Sequence, residues 1–178
     1  MDRMRILVIS DSHGRNDDVK GLIDQAGHID MLIHCGDVVS GEDYIRSLVD
    51  CPVYMVGGNS DYNLDLPREL ELTIGSYRVF VIHGHMSWVN WGVDHLRQIA
   101  VENHYDIVMF GHTHVPFIQI EDNLTILNPG SLSYPRQEDR MPTFLIMEID
   151  EYGMPHYEYG CYKSKSTELE IYYYNDLN

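Results

Sequence analysis

Seven side chains of types that commonly bind metal ions follow short apolar runs in this chain. They are Asp11, His13, Asp37, Asn59, His83, His112 and His114. The first pair comes directly after Ile6 to Ile9, an apolar run typical of a strand buried on both faces. Glycine is adjacent or nearby at every later turn, and glycine lets the backbone approach an ion closely. Taken alone, Asp11 could equally cap a turn and His13 lie at the surface, so the remaining turns decide between the two interpretations.

Seven mixed oxygen and nitrogen ligands are too many for one ion and suit two ions that share a carboxylate. Asp37 is the natural shared ligand, because a carboxylate has two oxygens whereas an amide or imidazole offers one donor atom at a time. Two divalent ions about 3.5–4 Å apart can clamp the attacking and leaving oxygens of a phosphoryl transfer. The set contains no thiolate, which argues against a structural zinc site and favours Mn, Fe, Zn, Co or Ni in open coordination.

The first third of the chain predicts the elements that would bring these side chains together. Further strands are expected at Met31 to Cys35 and Val53 to Val56, each followed by a polar turn. Helices are expected over Asn16 to Ala26, with Asn16 as the N-cap, and over Gly41 to Val49. Three successive units of a strand followed by a polar turn indicate a parallel sheet with right-handed crossovers, so all three polar turns should lie at the same edge.

The rest of the chain changes from crossover units to hairpins. A hairpin is predicted from two strands around Gly75-Ser76, followed by a helix and by strands only after Val115. The expected elements are strands Arg68 to Ile74 and Tyr77 to Ile82, helix Val93 to Asn103, and strands Asp106 to Phe110, Pro116 to Glu121, Leu124 to Leu127, Thr143 to Ile149 and Pro155 to Tyr159. This order predicts an α/β fold of two facing mixed sheets flanked by helices.

Composition restricts the classes of partner. The 178 residues, 44% of them apolar, predict one domain spanning 1–178. The formal net charge of −16 argues against polymeric nucleic acid, but not against a small phosphorylated substrate at a site with bound cations. The apolar runs are too short for a membrane span or a signal-peptide core, so we expect no membrane association and a cytoplasmic location. The three cysteines fit a reducing compartment.

Five short motifs, taken together and in order, resemble the signature of the calcineurin-like metallophosphoesterases. They are Asp-Ser-His at 11–13, Gly-Asp at 36–37, Gly-Asn-Ser-Asp at 58–61, His-Gly-His at 83–85 and Gly-His-Thr-His at 111–114. The chain is most similar to the small single-domain branch that contains bacterial and archaeal manganese-dependent phosphodiesterases. Asn128-Pro129-Gly130-Ser131 and Tyr134-Pro135-Arg136 also resemble that branch, so the resemblance runs from Ile6 to Arg136.

The resemblance implies a four-layer α/β/β/α sandwich and a centre of two divalent metal ions, with Mn²⁺ preferred. Position by position, it implies one ion held by Asp11, His13 and His114, a second held by Asn59, His83 and His112, and Asp37 as the bridge. It also implies that Asp37, Asn59 and His83 act in catalysis. The reaction implied is hydrolysis of a small phosphate diester by a metal-bridging hydroxide.

One position departs from the wider family. Many members have histidine after Gly-Asn, where it protonates the leaving group or stabilises charge, but this chain has Ser60. General acid catalysis is often worth about 10²–10⁴-fold, so we expect weaker turnover of poor leaving groups. Activated aryl or strained cyclic esters should be turned over better. We interpret Asp61 as a structural hydrogen-bond acceptor rather than a replacement acid.

The roles of several other residues are also considered. Arg136 could contact the substrate phosphate, since its planar fork suits phosphate, or form a structural salt bridge. His85 could contact substrate, support His83 or be an ordinary polar loop residue. His34 lies within an apolar strand and is expected to be a hydrogen-bonded core histidine. Asn128 could support the ligands from behind or be a turn residue before Pro129, and the turn is favoured.

Two further hypotheses remain open at this point. A non-catalytic interaction module on the same fold is one alternative, because a retromer subunit resembles this fold but has a compromised site. The second alternative is a phosphomonoesterase. The tyrosine-rich carboxyl-terminal part, with Tyr152, Tyr157, Tyr159, Tyr162, Tyr172, Tyr173 and Tyr174, predicts a covered sheet edge or a homo-oligomer interface.

Overall fold

The computed structural model of the chain describes residues 3–164 and the backbone of residues 170–173. The strands are β1 (Met4–Ile9), β2 (Met31–His34), β3 (Val53–Met55), β4 (Glu69–Ile74), β5 (Tyr77–Ile82), β6 (Ile107–Met109), β7 (Pro116–Glu121), β8 (Leu124–Pro129), β9 (Thr143–Ile149), β10 (Pro155–Cys161) and β11 (Glu170–Tyr173). The helices are α1 (Asn16–Ala26), α2 (Glu42–Ser47) and α3 (Asp94–Asn103). None of these helices is long and apolar enough to cross a bilayer.

The described strands form two mixed sheets. The first has the order β11-β10-β9-β1-β2-β3, in which β1, β2 and β3 are parallel and β9 runs antiparallel to β1. The second has the order β4-β5-β6-β8-β7, in which β5, β6 and β8 are parallel and the outer strands are antiparallel. The parallel strands of each sheet therefore end at a common edge, and loops that carry the candidate ligands leave from there.

Apolar side chains define four layers. Residues of both sheets, such as Ile33 and Val81, pack together in one buried cluster between the sheets. Leu22 of α1 and Ile45 of α2 pack on the outer face of the first sheet, and Leu96 of α3 packs on the outer face of the second. This arrangement confirms the predicted fold class of two facing mixed sheets flanked by helices.

Two local predictions about the helices need correction. The predicted helix from Gly41 to Val49 is shorter, because Gly41 has a left-handed backbone and Leu48 already occupies the C-cap. Asn16 is not the N-cap of α1; Arg15 occupies that position, and no side chain caps the helix. The Asn16 amide instead lies against Gly41, in space that a side chain there would fill.

The carboxyl-terminal tyrosines do not share one environment. Tyr159 is buried in the cluster between the sheets, and its hydroxyl lies 2.6 Å from the carbonyl oxygen of Phe117. The hydroxyl is also 2.7 Å from the carbonyl oxygen of Asn128. The prediction of a sheet-edge or interface role is therefore wrong for Tyr159, which joins the two sheets from within. The side chains of Tyr172 and Tyr173, and all of Tyr174, lie outside the described residues.

Candidate metal centre

The loops that follow five strands meet in one place. The candidate ligands follow β1, β2, β3, β5 and β6, as the apolar runs predict. Backbone hydrogen bonds join these loops, from Asp11 N–H to the Gly36 carbonyl at 2.9 Å and from His13 N–H to the Asp37 carbonyl at 2.9 Å. A third bond, from Gly111 N–H to the His83 carbonyl at 3.1 Å, joins the loops of the second sheet. The backbone thus fixes the relative positions of the loops before any side chain is considered.

The first cluster consists of Asp11, His13, Asp37 and His114. His114 Nε2 lies 3.1 Å from Asp11 Oδ1, and His13 Nε2 lies 3.5 Å from Asp37 Oδ2. The Nε2 atoms of His13 and His114 are 3.4 Å apart. One ligand atom from each of the four residues lies within 4.8 Å of all the others. Two carboxylates and two imidazoles at these separations can surround one divalent cation.

The second cluster consists of Asn59, His83 and His112. His83 Nε2 lies 3.2 Å from Asn59 Oδ1 and 3.6 Å from Asp37 Oδ1. The rings of His83 and His112 meet edge to face with their centroids 5.2 Å apart. The two oxygens of Asp37 therefore face different clusters, Oδ2 toward His13 and Oδ1 toward His83. This is the arrangement that a carboxylate shared by two ions requires.

Five of the seven candidate ligands have a left-handed backbone. The residues with positive φ are Asp11, His13, Asp37, His112 and His114, with φ values from 45° to 67°. A non-glycine residue in this region costs free energy, and such residues cluster at functional sites where the surrounding structure enforces them. The sharp turns let Asp11 and His13 of one loop, and His112 and His114 of another, face the centre together.

Backbone carbonyls orient two of the histidine rings. His83 Nδ1 lies 2.8 Å from the Cys35 carbonyl oxygen, and His114 Nδ1 lies 2.7 Å from that of Tyr134. A carbonyl can only accept, so each Nδ1 carries the proton and each Nε2 presents a lone pair. The lone pairs of both rings point into the clusters, in the form that binds a metal ion.

The carboxylate of Asp11 meets the requirements of a cation site. Burial alone would favour its neutral form, but contact with His114 and the charge of His83 outweigh burial and lower the pKa of Asp11. Oδ2 accepts hydrogen bonds from the Ser10 hydroxyl at 2.6 Å and the His112 N–H at 3.1 Å. Oδ1 is buried, and no group in the described part of the chain donates a hydrogen bond to it. Such an orphaned oxygen fits a bound cation.

Burial favours the neutral form of three rings, and it prevails at two of them. Burial lowers the pKa of both His13 and His112, despite the nearby carboxylates. Burial also opposes protonation of His114, but its contact with Asp11 outweighs burial and raises the pKa of His114. A metal ion needs the neutral imidazole, so the low pKa of His13 and His112 favours ligation at neutral pH.

Ser60 holds the Asp37 carboxylate. Its backbone N–H donates to Asp37 Oδ1 at 2.8 Å, and its hydroxyl donates to Oδ2 at 3.0 Å. The neighbouring Asp61 is buried and accepts from the backbone N–H groups of Val38, Val39 and Gly58. Asp61 therefore has the predicted role of a structural acceptor, and it fixes the two loops that carry Asp37 and Asn59.

His112 lies at the edge of the second cluster. Its Nε2 is 3.1 Å from the side-chain nitrogen of Asn90, which belongs to the loop between β5 and α3. A ring nitrogen that accepts from Asn90 must exchange this partner for a cation if it is to act as a ligand. No sequence pattern predicted the contact, because Asn90 lies 22 residues from His112 along the chain.

His34 is a buried histidine that supports the first loop. Its Nε2 lies 2.8 Å from the Ser12 hydroxyl, and its Nδ1 accepts from the Gly36 N–H at 3.2 Å. This confirms the prediction of a hydrogen-bonded core histidine. It also shows that the Ser12 side chain contacts His34. Burial lowers the pKa of His34 to about 4.

The low pKa of His34 predicts a pH dependence of stability. Between the unfolded value near 6.5 and about 4, only the unfolded chain binds this proton, so the free energy of unfolding falls as pH falls through that window. From pH 7.5 to pH 5 the loss should be about 2 kcal/mol. Urea unfolding of the metal-free protein at both pH values measures it. The His34→Gln variant should lose about 2 kcal/mol less than the wild type, and equal losses would contradict the assignment.

The two candidate substrate contacts lie beside the clusters. Arg136 is exposed, and its backbone N–H donates to the carbonyl oxygen of the candidate ligand His114 at 3.0 Å, which holds the residue next to the first cluster. The His85 ring is half-buried, with its centroid 5.4 Å from that of His83 and 6.2 Å from that of His112. His85 Nδ1 is buried without a hydrogen-bond partner among the described residues. Both side chains line the approach to the centre, without touching a ligand through a hydrogen bond.

Three residues outside the candidate ligand set support the centre through hydrogen bonds. The hydroxyls of Ser131 and Ser133 both donate to the carbonyl oxygen of Asp11, at 2.9 Å and 2.7 Å, and so hold its left-handed backbone. The Asn128 amide donates to the Gly111 carbonyl at 2.8 Å, and its oxygen accepts from the Gly130 N–H at 2.8 Å. Asn128 is therefore both a turn residue and a support of the loop before His112.

Comparisons with known proteins agree with the geometry. The Calcineurin-like phosphoesterase superfamily domain matches residues 4–152. The probable metallophosphoesterase YsnB of Bacillus subtilis is 32% identical over 148 residues, covering 83% of this chain and 85% of its own. A probable metallophosphoesterase of Methanothermobacter thermautotrophicus is 34% identical over 152 residues, covering 83% and 87%.

Solved structures share the architecture. A conserved uncharacterized protein of Streptococcus pneumoniae, described as a predicted phosphoesterase, superposes with a TM-score of 0.79 at 28% identity, covering 97% of this chain and 98% of its own. Vps29 of Entamoeba histolytica in complex with Zn²⁺ (TM-score 0.74, 23% identity, 95% and 98% coverage) and a novel archaeal phosphodiesterase (0.63, 21%, 86% and 98%) share the fold alone. With the family match spanning most of its length and relatives above 30% identity, the chain belongs to the calcineurin-like phosphoesterase superfamily.

Proposed function

We propose that this chain is a phosphodiesterase that hydrolyses small phosphate diesters at a centre of two divalent cations, with Mn²⁺ as the ion. The observation that carries the proposal is the position of Asp37, whose two oxygens face two separate groups of ligands. Asp11, His13 and His114 would hold one cation, Asn59, His83 and His112 would hold the other, and Asp37 would bind both. The diester class and the preference for Mn²⁺ follow the resemblance to the small manganese-dependent branch.

The bound cations would supply Lewis-acid activation of a water molecule and of the phosphoryl oxygens. The chain's own residues orient the ligands and set the charge. Asp37, Asn59 and His83 would act in catalysis, and Asp11 and Asp37 would leave a net positive charge against two dications. Arg136 would contact a phosphate oxygen at the rim, because a guanidinium binds phosphate through two parallel hydrogen bonds.

The hydrogen bonds of Ser60 limit the range of leaving groups. Ser60 donates its hydroxyl proton to Asp37, and a serine hydroxyl is too weakly acidic to replace a histidine as a general acid. Good leaving groups need no proton from the protein. We therefore expect aryl and strained cyclic diesters to be hydrolysed faster than simple alkyl diesters, by about 10²-fold or more.

Metal depletion and reconstitution test the proposed function. Protein stripped with a chelator should lose hydrolysis of bis(p-nitrophenyl) phosphate and regain it when Mn²⁺ is added. A panel of diesters and monoesters with the same p-nitrophenolate leaving group should show faster turnover of the diesters. Faster turnover of the monoesters would assign a phosphomonoesterase instead.

A non-catalytic interaction module is the second candidate. Its support is the fold shared with Vps29, a protein named for vacuolar protein sorting, together with Ser60 in the place of the common histidine. The ligand set, complete in residue type, argues against it. Absence of bound metal and of hydrolysis across the whole ester panel would favour the interaction module over the phosphodiesterase.

A further inference from the structure

The loop between β5 and α3, residues 83–93, holds both tryptophans of the chain beside the candidate metal centre. Trp88 is 72% exposed and Trp91 is 93% exposed. Single exposed apolar residues are ordinary, but two exposed indoles in one loop beside a candidate site point to a binding surface. The Trp88 ring lies at the α3 end of the loop, with its centroid 6.0 Å from that of His95. The candidate metal centre described above uses neither indole.

The loop is held in place by packing and by backbone hydrogen bonds, so the positions of the two tryptophans are fixed at the backbone. Val89, between the two tryptophans, is buried in the cluster under α3 and packs on Gly84, where an added Cβ would lie 3.1 Å from its methyl groups. Backbone hydrogen bonds from Ser87 N–H to the Gly84 carbonyl and from Trp91 N–H to the Trp88 carbonyl, both 2.9 Å, close two turns. Trp88 has a left-handed backbone with φ of 55°. A bulky residue in that conformation is costly and is found where the structure enforces it.

The loop also touches the centre directly. Asn90, adjacent to Trp91, places its side-chain nitrogen 3.1 Å from Nε2 of the candidate ligand His112. Consecutive Cα atoms are about 3.8 Å apart, so the Cα of Trp91 lies that distance from the Cα of Asn90, whose side chain contacts the candidate ligand His112. A molecule whose phosphate lies at the clusters must extend past this loop if it leaves on that side.

The chemistry of the loop selects a flat, uncharged group. Residues 83–92 contain no Asp, Glu, Lys or Arg, so the loop offers neither a counter-ion for further phosphates nor a charge that would repel a neutral ring. Indole faces stack on the bases of nucleic acids, and each such contact is worth about 5- to 150-fold in affinity by alanine substitution. The net charge of −16 opposes the other common use of exposed tryptophan, insertion at an anionic membrane surface.

We propose that Trp88 and Trp91 form a stacking platform for the nucleobase of a nucleoside phosphodiester whose phosphate lies at the metal centre. This inference rests on the proposed phosphodiesterase function and narrows its substrate class. It makes the two tryptophans specificity-determining residues rather than catalytic ones. Their removal should therefore raise KM for nucleoside esters and leave kcat nearly unchanged.

Two esters that share one leaving group test the platform with Mn²⁺-loaded protein. Thymidine 5′-(p-nitrophenyl) phosphate carries a base, and methyl p-nitrophenyl phosphate does not. We expect the Trp91→Ala variant to raise KM for the thymidine ester about tenfold and to leave the methyl ester unaffected. Trp91→Phe, which keeps a ring, should retain most of the preference. Tyr152→Ala is the matched control, because Tyr152 is 84% exposed but lies in the turn after β9, at the opposite end of β1 from Asp11.

Tryptophan fluorescence separates this inference from the proposed function. Both tryptophans lie in the loop, so thymidine 5′-monophosphate should quench the fluorescence and inorganic phosphate should not. Quenching without hydrolysis of either ester would support the platform and overturn the phosphodiesterase. Hydrolysis of both esters with equal KM, unchanged by the tryptophan variants, would overturn the platform alone. A fluorescence shift caused by phosphatidylcholine vesicles and not by the nucleotide would assign the loop to a membrane surface and overturn it as well.

Discussion

Replacing Asp37 by alanine is expected to lower Mn²⁺-dependent hydrolysis of bis(p-nitrophenyl) phosphate by at least about 10³-fold. The physical reason is that the Asp37 carboxylate faces both clusters, with its oxygens 3.5 Å from His13 Nε2 and 3.6 Å from His83 Nε2. Charge stabilisation by bound metal ions is worth several kcal/mol in the transition state, and each 1.36 kcal/mol is a factor of ten in rate. Initial rates at saturating Mn²⁺ measure the effect.

The Asp37 experiment has two controls. Asp43→Ala removes a carboxylate that is exposed on α2 and outside the candidate ligand set, and should leave the rate unchanged. Asp37→Asn keeps the shape of the side chain and removes its charge, so a comparable loss of activity with an unaltered far-ultraviolet spectrum would separate chemistry from misfolding. Survival of the activity in Asp37→Ala would sink the assignment of Asp37 as the shared ligand.

A methyl group added at Gly58, in a neighbouring loop, should displace the Asp37 carboxylate and weaken metal binding. An ideal Cβ at Gly58 would lie 2.6 Å from the backbone nitrogen of Asp37 and would overlap its side-chain oxygen. Backbone cannot yield as a flexible side chain can, so the Gly58→Ala variant must displace Asp37. Mutations that misplace metal ligands typically cost about 10–100-fold in affinity or activity. We expect Mn²⁺ affinity, measured by calorimetric titration, to fall by that factor.

Gly57 provides a matched control for this experiment. A Cβ at Gly57 would meet the carbonyl oxygen of Leu66 at 3.4 Å, an ordinary van der Waals contact, and neither glycine has a positive φ. Gly57→Ala should therefore keep Mn²⁺ affinity and activity close to the wild type. Equal losses in the two variants would show that the loop tolerates no side chain at all, contrary to the specific role assigned to Gly58.

Local signals predicted much of the fold. The run Ile6 to Ile9 lies in β1, the Gly75-Ser76 pair forms the turn between β4 and β5, and α3 follows the expected apolar spacing. These features depend on a few neighbouring residues, and their periodicity is visible in the sequence. The clustering of polar turns at one edge followed from the handedness of parallel crossovers, which restricts the arrangements that three such units can take.

The contacts that shape the centre could not be read from local patterns. The left-handed backbone of Asp11 is held by Ser131 and Ser133, about 120 residues away in the chain. The contact between Asn90 and His112 joins two loops of the second sheet, and nothing in the sequence of either loop predicts it. Tyr159 belongs to the tyrosine-rich part that suggested a sheet edge, yet β10 is paired with both β9 and β11, and the Tyr159 side chain lies between the sheets. Only the assembled fold determines these partners.

The resemblance contributed what neither local patterns nor composition could. It assigned Asp11, His13 and His114 to one ion and the remaining ligands to another, and the structure shows these residues in two groups on either side of Asp37. His112 is the residue whose place is least like a ligand's, because its Nε2 is engaged by Asn90. Loss of the contact between the Asn90 side chain and His112 Nε2 is therefore a useful local indicator of metal binding.

Anomalous diffraction from crystals grown with Mn²⁺ tests the two-ion centre most directly. The account predicts two peaks about 3.5–4 Å apart, one among Asp11, His13 and His114 and one among Asn59, His83 and His112, with Asp37 between them. It also predicts that the Asn90 side chain has left His112 Nε2. A single peak among the first group, or peaks only at exposed acidic side chains, would contradict the claim that Asp37 is shared by two ions.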